Sequence, residues 1–136
     1  MTSEYGTVDR SKAVVLEYFR RLFEQRDLTV LDDLLAADYV DHDSPPDAPA
    51  GAAATRKFVS AFLGEYPDMS VTIDDILAED DRVAVRAIWR GINARSGSEY
   101  HQMGIVIFRL DADGRLRERW SAYAPVPVAD EPVIEG

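Results

Sequence analysis

Residues Gly104–Tyr123 read GIVIFRLDADGRLRERWSAY. Two runs rich in strand-forming residues flank DADG (Asp111–Gly114), a tetrapeptide suited to a hairpin turn. The first run extends back to Glu99 and the second covers Arg115–Tyr123, so two antiparallel strands are expected here. Working outward, period-two patterning also marks Val71–Leu77 and Arg82–Gly91, separated by AEDD and followed by INARSGS. Four strands joined by short turns make a sequential antiparallel meander.

Upstream the period changes to that of a helix. From Ser11 to Gln25, Val15, Tyr18, Phe19, Leu22 and Phe23 form one apolar stripe, with Asp9 or Ser11 available as a cap. A shorter helix is expected over Thr29–Ala36, with Leu31, Leu34 and Leu35 inward. DYVDH (Asp38–His42) then reads as a short strand, ended by the proline-rich DSPPDAPAG. A third helix covers Ala52–Leu63, buries Phe58, Val59 and Phe62, and is stopped by Gly64 and Pro67. Helices followed by a meander define an α+β plan, with the helices packed on one face of the sheet. A single domain over 1–136 is expected, its core about 11–123, with loose tails at 1–8 and 126–136.

A chain of 136 residues, 46% apolar and 29% charged, can bury about two-thirds of its unfolded surface without a metal or a disulfide. It contains no cysteine, so thiol chemistry is excluded. The net charge of −10 argues against nucleic acid and against anionic membranes as partners. MTSEYGTVDR lacks the basic and apolar regions of a signal peptide, and no apolar run approaches the ~20 residues of a membrane span. A cytoplasmic protein is expected.

Strand alternation within ERWSAYAP (Glu118–Pro125) puts Glu118, Trp120, Ala122 and Ala124 on one face, with Arg119, Ser121 and Tyr123 on the other. Arg117 and Arg119 share a face, which points to solvent, so Glu118 and Trp120 are expected to turn inward. A glutamate in an apolar setting has its pKa raised and suits acid–base work; equally, a buried Glu118 can be held by Arg86 or by backbone donors. His42 closes YVDHD where a strand meets a loop, and is either a proton carrier or bonded to loop backbone. Asp41, His42 and Asp43 are adjacent, so a strand points them to alternating sides, a poor metal cage. Arg86 lies opposite Val83, Val85, Ala87 and Trp89, facing solvent and acidic neighbours or else a substrate oxyanion. Around Gly104 both faces are apolar: either His101 and Met103 or Tyr100 and Gln102 enter the interior.

Together DYVDHD…P…G (Asp38–Gly51), YPDMSVTIDDILAEDDRVAVRAIWRG (Tyr66–Gly91) and GIVIFRLDADGRLRERWSAY (Gly104–Tyr123) resemble the SnoaL-like polyketide cyclases of the nuclear transport factor 2-like superfamily. The resemblance implies a cone-shaped α+β barrel. A curved antiparallel sheet would wrap around the three N-terminal helices, leave a deep pocket, and often pair with a second copy through its outer face. It implies cofactor-free and metal-free acid–base chemistry. His42 matches the family's pocket histidine, and Glu118 with Trp120 matches its Glu-x-Trp. The family's acid–base aspartate falls at Ala124, which cannot move a proton.

The implied function is cyclisation, isomerisation or dehydration of a hydrophobic carbonyl compound in polyketide or related secondary metabolism. His42 and Glu118 would be catalytic. Trp120, Tyr39, His101, Tyr123, Trp89 and Arg86 would contact the substrate, and the protein would form a homodimer. With the acid absent at Ala124, the alternative is a non-catalytic binding or templating protein.

Overall fold

The apolar stripe of the first segment does form a helix, but a longer one than its periodicity predicts. Helix α1 spans Glu4–Phe19 rather than starting at Ser11, and runs on into a π-helical turn, Arg20–Glu24. There the Gln25 N–H donates to the Arg20 carbonyl five residues back, at 3.1 Å. Val15, Tyr18, Phe19, Leu22 and Phe23 are all buried along this one face. The computed structural model describes residues 4–45, 47–48 and 51–126, with side chains from residue 9 onward. Apart from Val126, the expected loose tail at 126–136 lies outside the described residues, as do residues 1–3.

Helix α2 covers Val30–Leu34 and gives way at once to strand β1, Leu35–Asp41. Leu35 and Ala36, expected to be helical, are therefore extended. Their ladder partner lies far along the chain: β1 pairs in parallel with the last strand, Leu35 opposite Leu116 and Asp41 opposite Arg119. Pairing at that distance overrides local helix preference and leaves no trace in the local pattern. Helix α3 is Ala52–Glu65. Strands β2 (Ser70–Glu79), β3 (Arg82–Ile92), β4 (Glu99–Leu110) and β5 (Leu116–Pro125) form the expected meander. The sheet thus has five strands, in the order β1-β5-β4-β3-β2.

One face of this sheet packs on α1. Val83, Val85, Ala87 and Trp89 of β3 and Val106 and Phe108 of β4 are fully or almost fully buried there. Tyr18 meets Phe108 edge to face at 5.3 Å, and Phe19 meets Trp89 at 6.1 Å. Each such large side chain contributes about 1.5–3 kcal/mol by leaving water. With Val106 and Phe108 inside, alternation puts Tyr100 and Gln102 on the inner face and His101 and Met103 on the outer one.

The hairpin register carries this choice into β5. Phe108 lies opposite Arg119, Val106 opposite Ser121, and Gly104 opposite Tyr123. Arg119, Ser121 and Tyr123 therefore face the interior, while Glu118, Trp120, Ala122 and Ala124 face out. The expected orientation of ERWSAYAP is reversed. Among the described residues no helix is long and apolar enough to cross a membrane.

Candidate active site

Between α1, α3 and the inner faces of β3–β5 lies a cavity of about 440 Å³. The bulkiest wall groups are aromatic: Phe19 from α1, Phe23 from the π-helical turn, Phe62 from α3, and Trp89, Tyr100 and Tyr123 from the sheet. Trp89 and Tyr123 meet at 5.2 Å with their planes at 73°, and Phe62 and Tyr100 at 5.2 Å with planes at 74°. Gly104 makes the first contact possible. A Cβ there would stand 2.6 Å from the Tyr123 ring and 2.8 Å from Trp89.

The polar part of the cavity is concentrated where β1 meets β5. Arg119 Nη1 donates to Asp41 Oδ2 at 3.1 Å and to Ser121 Oγ at 3.1 Å, and Nη2 donates to Tyr123 Oη at 2.5 Å. Just past β1, Asp43 Oδ2 accepts from Ser121 Oγ at 2.9 Å and from the Ser121 backbone N–H. Burial works against the charge of Arg119, yet Tyr123, Tyr18 and Asp41 around it hold its pKa above the ordinary arginine value. Burial pushes the Tyr18 phenol up to about 12, against the opposing pull of Arg119. Tyr123 accepts from a guanidinium, so its own hydroxyl hydrogen is left to donate to a ligand.

Of the residues expected at the site from sequence, Trp89 and Tyr123 line the cavity. Tyr39 is buried on the same side of β1, its pKa raised chiefly by burial. The others face elsewhere. His42 follows Asp41, so alternation turns it to the outer face. There its ring stacks on Trp120 at 4.7 Å, with planes 6° apart, and Nε2 lies 2.7 Å from Glu118 Oε2. Glu118 also pairs with Arg109. His42 first, then Arg109, hold its carboxyl below the usual carboxylate range, opposite to the raised value expected of an inward glutamate. Arg86 is outside and paired with Asp74 at 2.8 Å. His101 shares the outer face with Met103.

Arg119, Ser121, Tyr18 and Thr55 line the cavity but were not expected at the site from sequence, and Asp41 and Asp43, which also line it, were weighed there only as metal ligands. Tyr18 was legible on the buried stripe of α1. Arg119 was obscured because a charge on a strand normally signals solvent; here a carboxylate on an unforeseen neighbouring strand neutralises it.

A curved α+β sheet closed by helices around an apolar cavity with a few convergent polar groups is the architecture of a small-molecule site. The chain belongs to the SnoaL-like domain family, whose model matches residues 15–119. Among solved structures it is similar to IdmH of Streptomyces antibioticus, a candidate polyketide cyclase, with 25% identity and a TM-score of 0.72 over 83% of this chain and 91% of that one. A candidate SnoaL-like polyketide cyclase from Jannaschia sp. CCS1 superposes with a TM-score of 0.76 at 19% identity, over 90% and 91%. AclR of Streptomyces galilaeus, a candidate hydroxylase, gives 0.73 at 23%, over 85% and 79%. No curated protein matches the chain significantly.

Proposed function

We propose that the protein is a cofactor-free acid–base enzyme acting on a hydrophobic carbonyl compound of polyketide or related secondary metabolism. The observation that carries this reading is the Arg119–Tyr123 donor pair set into a cavity walled largely by apolar side chains. A carbonyl oxygen placed against Tyr123 and Arg119 gains its hydrogen bonds most strongly when it becomes an enolate. Asp43 is the base. Its Oδ2 is occupied by Ser121, whereas Oδ1 accepts no hydrogen bond among the described residues. It takes the proton from the carbon next to the carbonyl, and the enolate carbon attacks a second carbonyl or shifts its double bond. The protonated Asp43 then returns the proton to the new alkoxide or carbon.

The test is turnover of cyclisable diketones by single variants. Asp43→Asn, Tyr123→Phe and Arg119→Met should each lower kcat by a factor of about 10²–10⁴. Full activity of Asp43→Asn would overturn the assignment.

A second reading is favoured by Ala124, which stands where the resembled cyclases carry their acid and here faces outward. In that reading the cavity binds or templates a ligand without proton transfer, and turnover shows a flat pH profile. The outer sheet face, with Val40 45% and Ile105 40% exposed beside Trp120, supports a homodimer packed through it. Light scattering measures that directly. A cytoplasmic location fits the same reading.

A further inference from the structure

Two hydroxyls stand apart from the cluster on β5. Tyr39 Oη and Thr55 Oγ1 are buried, and neither has a hydrogen-bond partner among the described residues. Thr55 is 8% exposed and lines the cavity from the first turns of α3, and Tyr39 is 1% exposed on β1. Helix α3 packs against β1, which sets the Thr55 hydroxyl on the Tyr39 side of the cavity. A helical threonine commonly returns its hydroxyl to a carbonyl of the preceding turn; Thr55 does not. Buried polar groups are almost always matched, and an unmatched one beside a cavity marks a place for a partner.

We propose that Thr55 and Tyr39 form a second polar station of the cavity, which receives a second oxygen of the substrate. This rests on the reading of the cavity as the substrate site. In the free protein both hydroxyls stay unmatched; when the ligand seats, Tyr39 turns its hydrogen onto Thr55 Oγ1 and the Thr55 hydroxyl donates to the ligand. Arg119 and Tyr123 bind the first oxygen from the β5 wall, and Phe62 and Trp89 supply apolar surface for the ring body. The substrate class is therefore a compact ring compound with two oxygen functions on different sides, not a mono-ketone. Tyr39 is a positioning residue that acts through Thr55.

Calorimetric titration with 1,4-naphthoquinone, which has two carbonyls, and α-tetralone, which has one, tests this on the intact protein. Thr55→Val should weaken naphthoquinone binding roughly five- to tenfold and leave α-tetralone within about twofold. Thr55→Ser, which keeps the hydroxyl, should hold both affinities, and Tyr39→Phe should lose naphthoquinone affinity alone. The thermal midpoints of Thr55→Val and Tyr39→Phe should not fall, because each removes an unmatched hydroxyl. Equal losses for both probes, or a lowered midpoint with an unchanged preference between them, would overturn the second station. If neither probe binds, or a cavity-filling Val59→Trp binds them as well as wild type, the cavity reading itself fails and this inference fails with it.

Discussion

His42 Nε2 lies 2.7 Å from Glu118 Oε2 on the face of β5 turned away from the cavity, with the His42 ring stacked on Trp120. The pair ties the end of β1 to β5 on the outer surface, next to the parallel register that sets Asp41 opposite Arg119. His42→Ala and Glu118→Gln should therefore leave turnover near the wild-type level while lowering the unfolding midpoint. Assay and thermal melt on the same samples separate the two effects.

The ionisation of Glu118 gives this contact a pH signature. His42 and Arg109 depress its carboxyl in the folded protein, so the unfolded chain binds the proton more tightly. Its stabilisation is complete above the unfolded value of about 4.3 and is lost as pH falls through the lower folded value. Urea midpoints of wild type and Glu118→Gln should differ at neutral pH and converge in acid.

Tyrosine ionisation should show the opposite sign at high pH. Burial raises the Tyr18 phenol to about 12 and raises Tyr39 further, so the unfolded chain releases these protons first. Their contribution is intact below pH ~10 and is lost as pH climbs from there. Absorbance at 295 nm should rise in two stages, the later one coinciding with loss of the near-ultraviolet circular dichroism.

The Arg119–Asp41 pair is enclosed, with side chains only 16% and 18% exposed. Arg119→Met strands a buried carboxylate and should cost about 3–5 kcal/mol of folding stability. Adding Asp41→Leu should recover much of that loss without restoring activity. Denaturant unfolding of the two single variants and the double variant completes the cycle.

Gly104 is the point where two cavity rings cross the β4 backbone. Gly104→Ala forces Tyr123 and Trp89 aside and should destabilise the fold by about 1–3 kcal/mol, with a shift in tryptophan emission. An unchanged emission spectrum with wild-type stability would show that the wall yields freely.

Periodicity alone determined the helix stripe of α1, the DADG hairpin and which residues of each strand share a face, because these depend on spacings of a few residues along the chain. Which face turns inward was another matter. Alternation is unchanged when the two sides of a strand are exchanged, and around Gly104 both sides are apolar. Only the packing of α1 on Val106 and Phe108 decided it, and the hairpin register then carried that choice to Arg119 and away from Glu118. The partner that makes an inward arginine tolerable is Asp41, 78 residues away in sequence and brought alongside by the parallel β1–β5 pairing. Spacing along the chain established which side chains stand together; contacts between distant segments decided which group of them encloses the site.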